Sequence, residues 1–256
     1  MPVNNNPQLT CLEVCIDSVE SGVAAQLGGA NRVELCDNLN EGGTTPSRGM
    51  IQRVNTVLDI PVHVMIRPRG GDFLYSIEEF EVMKMDIEEI KQSGCAGVVF
   101  GVLTAKGRID SKRTAILTDL AKPLKTTFHR AFDMTDKPLE GLDTLIGIGF
   151  DYILSSGQQP KALDGIELLM ALVGRAQNRI EIMAGSGITG DNVSEIIRRT
   201  GIRYVHASAA GLHESDMKYR NPDVSMTGAF HTSEYIRKQT DVERVRSIIK
   251  SARSGS

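Results

Sequence analysis

From residue 11 onward, apolar runs of about five residues alternate with longer amphipathic segments. Short apolar runs bounded by turn residues are typical of buried strands, and the longer segments are typical of helices that cover a sheet. The alternation predicts a parallel sheet whose strands are joined by helical crossovers. The eight candidate strands lie near residues 11–16, 32–36, 62–66, 97–100, 126–129, 152–154, 179–183 and 204–207.

Eight strands favour a TIM-like (β/α)8 barrel over a doubly wound sheet, which usually has fewer strands. Helix signals support this interpretation. Residues 76–79, Ser-Ile-Glu-Glu, form a capping box, and Pro138 suits a first helical turn. Gly94 and Gly201 suit helix C-termini. The pattern leaves open an imperfectly closed barrel.

Two regions interrupt the alternation. Residues 1–8 are polar and are predicted to form a flexible leader, and residues 9–256 are predicted to form one domain. The polar stretch over 211–239 is too long for an ordinary connection. We expect an elaborated final loop, acting as a lid or an oligomer contact, before a terminal helix over 241–251. A disordered surface insertion is the alternative.

Composition narrows the class of partner. The formal net charge is -3 and 41% of the residues are hydrophobic, which suits a globular protein without a basic tract for nucleic acid or an anionic membrane surface. No run approaches the roughly 20 apolar residues of a membrane span, and the N-terminus lacks a signal-peptide pattern. We therefore expect a cytoplasmic protein that binds small molecules or ions.

The chain has four cysteines, too few for a disulfide-stapled fold of this length. Alternation puts Glu13 and Cys15 on one face of the first strand, and Glu34 and Cys36 on one face of the second. If these strands are adjacent, the two cysteines can be neighbours. Paired thiolates favour Cu(I) over hard cations, although a free cysteine also commonly packs as a small buried hydrophobe.

Arginines gather where the third strand ends. Arg67 and Arg69 point to the same face if the strand continues, and two guanidinium groups there can grip a phosphate, a carboxylate or a sugar acid. The alternative is that they pair with Glu13, Glu34 or Asp133 and tie neighbouring strands together. The sequence favours neither.

His129 ends the fifth strand beside Arg130, with Asp133 in the following loop. An acid/base role is geometrically possible, which makes Glu13, His129 and Asp133 the candidate catalytic residues and Arg130 a third candidate for anion binding. A purely structural histidine is the alternative. The same ambiguity applies to His206, near the end of the last strand.

Residues 185–190, Gly-Ser-Gly-Ile-Thr-Gly, match the dinucleotide motif G-x-G-x-x-G. The motif comes late in the chain, and residues 205–210 offer no acidic group for a ribose hydroxyl, so we predict no nucleotide cofactor. Gly185 and Gly187 are instead predicted to hold an anion in the turn after the seventh strand. A purely structural turn is the alternative.

Taken together, these motifs resemble the CutC copper homeostasis family over nearly the whole chain. The resemblance implies a cytosolic TIM-barrel-like homodimer, linked to copper tolerance, that binds Cu(I) through Cys15 and Cys36. It is carried by residues 13–21, 34–36, 41–47, 66–73, 127–133, 155–157, 185–188 and 217–221.

The arginines oppose a purely copper-binding function, because a guanidinium group adds positive charge and is not an ordinary neutral ligand. The second hypothesis is therefore an enzyme of unassigned reaction. Its small anionic substrate, phosphorylated or sugar-like, would be bound by Arg67, Arg69 and Arg130. A third is an interaction scaffold that uses the 211–239 loop.

Overall fold

The computed structural model describes residues 11–224 and 233–254, and in these ranges eight parallel strands close into a barrel. Each strand pairs with the next in chain order, and the eighth pairs with the first, so the predicted TIM-like (β/α)8 fold is confirmed and its closure is complete. The strands are β1 (Cys11–Ile16), β2 (Arg32–Leu35), β3 (Val62–Met65), β4 (Gly97–Phe100), β5 (Lys125–Phe128), β6 (Tyr152–Ser155), β7 (Glu181–Ala184) and β8 (Tyr204–Ala207).

The helices form the outer layer, and local signals fix several of their ends. Ser76 and Glu79 make both hydrogen bonds of the predicted capping box, Pro138 is the first residue of its helix, and Gly201 ends another in the left-handed conformation. The described ranges hold α1 (Val19–Gly28), α2 (Arg48–Val57), α3 (Ile77–Lys91), α4 (Ser111–Ala121), α5 (Pro138–Ile148), α6 (Ile166–Ala176), α7 (Val193–Thr200) and α8 (Val242–Ser254).

The two faces of the barrel strands differ in chemistry. Outward residues such as Val14, Val33 and Val64 are buried against the helices in the main hydrophobic core. The inward positions of β1 and β2 carry Glu13 and Arg32, which are also buried. Because buried charges require partners, the interior of this barrel must be organised by ion pairs as well as by packing.

The segment after β8 differs from the predicted loop. It contains two antiparallel strands, β9 (Ala210–Glu214) and β10 (Ile236–Thr240), which pair with each other. Most residues of the two strands are exposed or partly buried, and their sequence does not alternate between apolar and polar residues. Such alternation is the usual signal of a strand, so the sequence did not reveal them. The predicted terminal helix is α8. The predicted leader at residues 1–8 lies outside the described residues.

Several strand boundaries differ from the prediction by one residue, and the start of β7 differs by two. The run near 179–183 becomes a strand only at Glu181, because the main-chain amide of Arg179 still donates to the carbonyl of Ala176 at the end of α6. None of the helices in the described ranges is long and apolar enough to cross a bilayer.

Candidate functional site

The carboxyl ends of the barrel strands surround a cavity of about 1340 Å³. Its wall includes Cys15 from β1, His206 from β8 and residues that directly follow β5 and β7. Active sites of this fold lie at the same end of the barrel, and the volume is sufficient for a small molecule. This cavity is the candidate functional site.

The two predicted cysteine ligands lie together at this end. Cys15 Sγ is 3.9 Å from Cys36 Sγ, and Cys36 Sγ is 3.6 Å from Glu34 Oε2. The pairing of β1 with β2 places Cys15 directly beside Glu34, so Cys36 follows one step further along the same inner face. Cys36 is buried, whereas Cys15 is partly exposed and lines the cavity.

A buried network of charged groups supports the sulphur pair. Arg32 Nε donates to Glu13 Oε2 at 2.5 Å, and Glu13 Oε1 lies 2.8 Å from His206 Nδ1. His206 Nε2 is 3.7 Å from Glu34 Oε2. Barrel closure creates this arrangement, since Glu13 of β1 is the register partner of His206 of β8. Glu13 is therefore held by two cationic or hydrogen-bonding groups.

The thiol groups of Cys15 and Cys36 differ in pKa. The hydrogen bond from the Cys36 thiol, against the opposing effect of burial, lowers the pKa of Cys15 to about 6, and His206 adds to this effect. The same bond and burial raise the pKa of Cys36 well above its ordinary value. At neutral pH the pair therefore holds one thiolate, on the residue that faces the cavity.

The surrounding groups are perturbed as well. Burial raises the pKa of Glu34 to about 8. Burial alone would lower the pKa of His206, but the electrostatic interaction with Glu34 and the hydrogen bonds to Cys15 and Glu13 hold it well above its ordinary value. For Glu13, burial opposes ionisation, yet Arg32 and His206 keep its pKa below the ordinary range.

The donor set fits a soft metal ion. Cys15, Cys36 and Glu34 can place one ligand atom each within 4.8 Å of one another. Glu34 Oε1 is buried and has no hydrogen-bond partner among the described residues, so a buried acceptor remains unused beside the two sulphurs. Thiolate ligands select Cu(I) over hard cations.

The three predicted anion-binding arginines are separated by the fold. Arg67 is buried and donates to the carbonyl oxygens of Glu41, Gly43 and Gly71 at 2.7, 2.9 and 2.7 Å. In the described part of the chain, no carboxylate oxygen lies within 4.0 Å of the guanidinium nitrogens of Arg67. Arg67 lines the cavity, where its guanidinium group already holds the neighbouring loops in place.

Arg69 does not share that position. Its guanidinium group pairs with Glu79 at 2.6 Å and with Asp72 at 3.1 Å. Arg69 is not one of the described residues that line the cavity. Arg130 does line the cavity, and it pairs with Asp133 at 2.8 Å and donates to Ser156 Oγ at 2.8 Å. Within the described residues, neither Arg67 nor Arg69 therefore makes the suggested pairings with Glu13, Glu34 or Asp133, and the partner of Asp133 is Arg130.

His129 lines the cavity as a neutral group. Burial, together with the charge of Arg67, lowers the pKa of His129 to about 3. Its Nδ1 accepts a hydrogen bond from the Ala131 amide at 3.2 Å, which places the proton on Nε2. Nε2 is buried without a partner among the residues that the structure describes. Proton uptake at neutral pH is unfavourable here.

Asp133 is saturated with hydrogen bonds. Its carboxylate accepts from Ser155 Oγ at 2.6 Å, from the amide and hydroxyl of Ser156, and from the Gln158 amide. Together with the Arg130 ion pair, these bonds fix the loops that follow β5 and β6. This geometry favours a positioning role over proton transfer.

The two glycines of the turn after β7 have different surroundings: Gly185 packs against Leu154, and Gly187 lines the cavity. The Gly185 amide donates to the Ser155 carbonyl at 3.0 Å, and a Cβ at Gly185 would lie 2.5 Å from Leu154 Cδ1. A side chain at Gly185 would therefore require Leu154 to move, and the Gly185 amide already has its acceptor. Gly187 lines the cavity with a left-handed φ of 71°.

Sequence reasoning gave too little weight to three interior residues, Arg32, Glu34 and His206. Period-two alternation along β2 placed Glu34 beside Cys36, and it would also have placed Arg32 on that face. The contact of His206 with Glu13 depends on the pairing of the last strand with the first. That pairing carries no local sequence signal.

The fold and the site define a (β/α)8-barrel protein with a thiol, carboxylate and imidazole cluster suited to a soft metal ion. Residues 10–211 match the CutC family model, and the chain belongs to the CutC family. The resemblance noted in the sequence is thus confirmed.

Relatives extend over most of the chain. The human copper homeostasis protein cutC homolog is 49% identical over 237 residues, which cover 93% of this chain and 87% of that protein. A family protein CutC from Bacteroides fragilis strain YCH46 is 50% identical over 243 residues, covering 94% and 97%.

Solved structures support the fold. The CutC structure from Streptococcus agalactiae has a TM-score of 0.75 at 37% identity, and the alignment covers 78% of this chain and 98% of that one. Phosphoribosylanthranilate isomerase from Pyrococcus furiosus has a TM-score of 0.56 at 14% identity, covering 96% and 99%. The second likeness concerns the barrel alone.

Proposed function

We propose that this protein binds Cu(I) through Cys15 and Cys36 and takes part in copper homeostasis. The observation that carries the proposal is the 3.9 Å separation of the two sulphurs beside an open cavity. Because zinc–thiolate bonds measure about 2.3 Å, one ion of similar size can bond both sulphurs with little movement. The names of the human and mouse relatives support the copper role.

The protonation states of the pair suit a singly charged soft cation. Cys15 already carries the thiolate, on the side that an ion entering through the cavity reaches first. Bonding to the ion then favours loss of the Cys36 proton, because a coordinated thiol is deprotonated. Two thiolates and one Cu(I) leave a single negative charge, and the His206 imidazolium lies beside it.

A competitive Cu(I) titration of the reduced protein tests this function. We expect tight stoichiometric binding by the wild type and its loss in the folded Cys15→Ser, Cys36→Ser double variant. Cys95→Ser is the matched control, since Cys95 is a buried cysteine of the main hydrophobic core. Binding that is unchanged in the double variant would exclude these two residues as ligands.

We further propose a cytoplasmic location. None of the four cysteines forms a disulfide, which suits a reducing compartment. Cell fractionation tests the location.

We also propose a homodimer. Exposed apolar side chains beyond β8, among them Leu212 and Tyr219, provide a surface that a second copy can cover. Sedimentation equilibrium tests the assembly, and a monomer at all concentrations would contradict it.

An enzyme or carrier for a small anionic molecule is the second candidate. The cavity of about 1340 Å³ is far larger than one metal ion requires, and the buried charge of Arg67 lies in its wall without a described carboxylate partner. The partly exposed Arg130 is the guanidinium group that a ligand in the cavity can reach.

Calorimetric titration with inorganic phosphate and with a sugar phosphate tests this candidate. Arg130→Gln is expected to weaken binding, whereas Arg69→Gln is the control because Arg69 pairs with Glu79 and Asp72. Neither variant should change Cu(I) affinity. Anion binding that is equal in both variants, or absent from the wild type, would contradict an anion site at Arg130.

A further inference from the structure

A third sulphur-bearing side chain lies beside the cysteine pair. The register of β2 with β3 pairs Leu35 with Val64, so the next step places Cys36 beside Met65 on the inner face. Cys36 and Met65 are 1% and 3% exposed, and both belong to a small interior cluster. Cys15 packs against the same cluster, which is separate from the main hydrophobic core.

Gly43 shows where the two side chains meet. A Cβ built at Gly43 would lie 3.0 Å from Cys36 Sγ and 3.5 Å from Met65 Cε. The ends of both sulphur-bearing chains therefore face the same glycine, which has a left-handed φ of 92°. Any larger residue would place carbon in the space beside the Cys36 sulphur.

We propose that the Met65 thioether is the third ligand of a three-sulphur Cu(I) site formed with Cys15 and Cys36, an inference that rests on the proposed function. Thioethers are soft ligands that, like thiolates, select Cu(I). A thioether is also neutral, so it completes the coordination of a buried ion without adding charge.

The other neighbouring groups are less suitable as the third ligand. His206 is oriented by Glu13, which lies 2.8 Å from its Nδ1, and its Nε2 lies 3.7 Å from Glu34, so the ring sits as the cationic neighbour of two carboxyl groups. Glu34 would bring a hard oxygen ligand to a soft ion whose positive charge two thiolates already exceed. Met65 has the required softness without these costs.

The cavity also distinguishes the three sulphurs. Cys15 and Met65 contribute to its wall, whereas Cys36 lies behind them. A ligand that enters the cavity therefore meets the ion on the side of Cys15 and Met65. Since the thioether carries no charge, it is the ligand that an incoming thiol displaces first, with the two thiolates still bound.

Copper X-ray absorption on Cu(I)-loaded protein that contains selenomethionine tests the assignment directly. We expect a copper–selenium vector in the wild type, its loss in Met65→Leu, and its retention in Met134→Leu. Met134 is the matched control because it lines the same cavity but is 67% exposed. The exchange of methionine for leucine roughly conserves volume, so the fold is retained.

A Cu(I) competition titration provides the second readout. Met65→Leu is expected to lower the affinity about tenfold and Met134→Leu to leave it unchanged. Absence of the copper–selenium vector from the wild type, or its persistence in Met65→Leu, would overturn the assignment while cysteine-dependent binding remained. Binding indifferent to both cysteines would instead overturn the proposed function itself.

Discussion

Inside the barrel, Arg32 Nε donates to Glu13 Oε2 at 2.5 Å, and the two side chains are only 6% and 1% exposed. The Arg32 guanidinium group also lies 4.1 Å from the centre of the Tyr152 ring. Glu13 in turn contacts His206, which lies beside the cysteine pair. The ion pair thus connects the stability of the barrel with the electrostatics of the site.

Removing the cationic member of this pair should destabilise the protein strongly. Arg32→Met leaves the Glu13 carboxylate buried without its main partner, and we expect the free energy of unfolding to fall by about 3–5 kcal/mol. Urea denaturation measures the change. Arg175→Met, which breaks an exposed ion pair with Asp143, should cost about 0–1 kcal/mol. Equal effects of the two substitutions would refute the argument.

The acidity of Cys15 should appear in its alkylation by iodoacetamide. Because the thiolate is the reacting form, the rate at Cys15 should rise with a midpoint near pH 6 in the metal-free protein. Cys36→Ala removes the strongest stabilising hydrogen bond and should move the midpoint upward. Mass spectrometry of the Cys15 peptide provides the rates.

Cys95→Ala is the control for that experiment, since Cys95 is not among the groups that set the pKa of Cys15. Its midpoint should equal that of the wild type. A wild-type midpoint near the ordinary thiol value of 9.0 would show that the cysteine pair does not share a proton in the way described.

His129 should make stability depend on pH. Its pKa is about 3 in the folded protein and 6.5 in the unfolded chain, so the unfolded chain binds more protons between these values. Stability should therefore fall as the pH falls from 6.5 towards 3, by up to about 1.4 kcal/mol per pH unit. Urea unfolding at pH 4, 5, 6 and 7 measures this slope.

His129→Asn isolates that contribution, because asparagine does not titrate but can still accept a hydrogen bond from the Ala131 amide. The stability difference between wild type and variant should shrink as the pH is lowered. Parallel curves for the two proteins would mean that His129 titrates alike in the folded and unfolded states.

Gly157 should be intolerant of a side chain. It has a φ of 69°, and a Cβ there would lie 2.2 Å from the Gly165 carbonyl oxygen. We expect Gly157→Ala to reduce stability by about 1–3 kcal/mol in thermal or urea unfolding. Gly174→Ala, at an open position on α6, should instead stabilise by about 0.5–1 kcal/mol. The opposite order would contradict both geometric arguments.

Local sequence signals predicted the existence and order of the barrel elements better than their exact ends. The alternation of apolar runs predicted all eight barrel strands, and the capping box at Ser76 predicted the start of α3. The proximity of Cys15 and Cys36 could also be predicted. It follows from the period of two along each strand and from the pairing of consecutive strands.

Side-chain partners could not be predicted in the same way. Arg67 and Arg69 share a predicted face, yet one guanidinium group is held by backbone carbonyls and the other pairs with Glu79. These choices depend on how the loops after β2 and β3 fold over the barrel. The strand pair β9 and β10 escaped prediction because most of its residues are exposed or only partly buried, so no apolar face marks it.

By itself the sequence determined the (β/α)8 fold, the cysteine pair and the CutC family, because periodicity, turn residues and motifs are local properties of the chain. Tertiary structure alone decided the chemistry around that pair. Closure of β8 onto β1 brings His206 to Glu13, and the β2–β3 register brings Met65 to Cys36. Burial and these neighbours then determine which side chains of the site are ionised, because the pKa of a buried group depends on groups that are distant in sequence but adjacent in space.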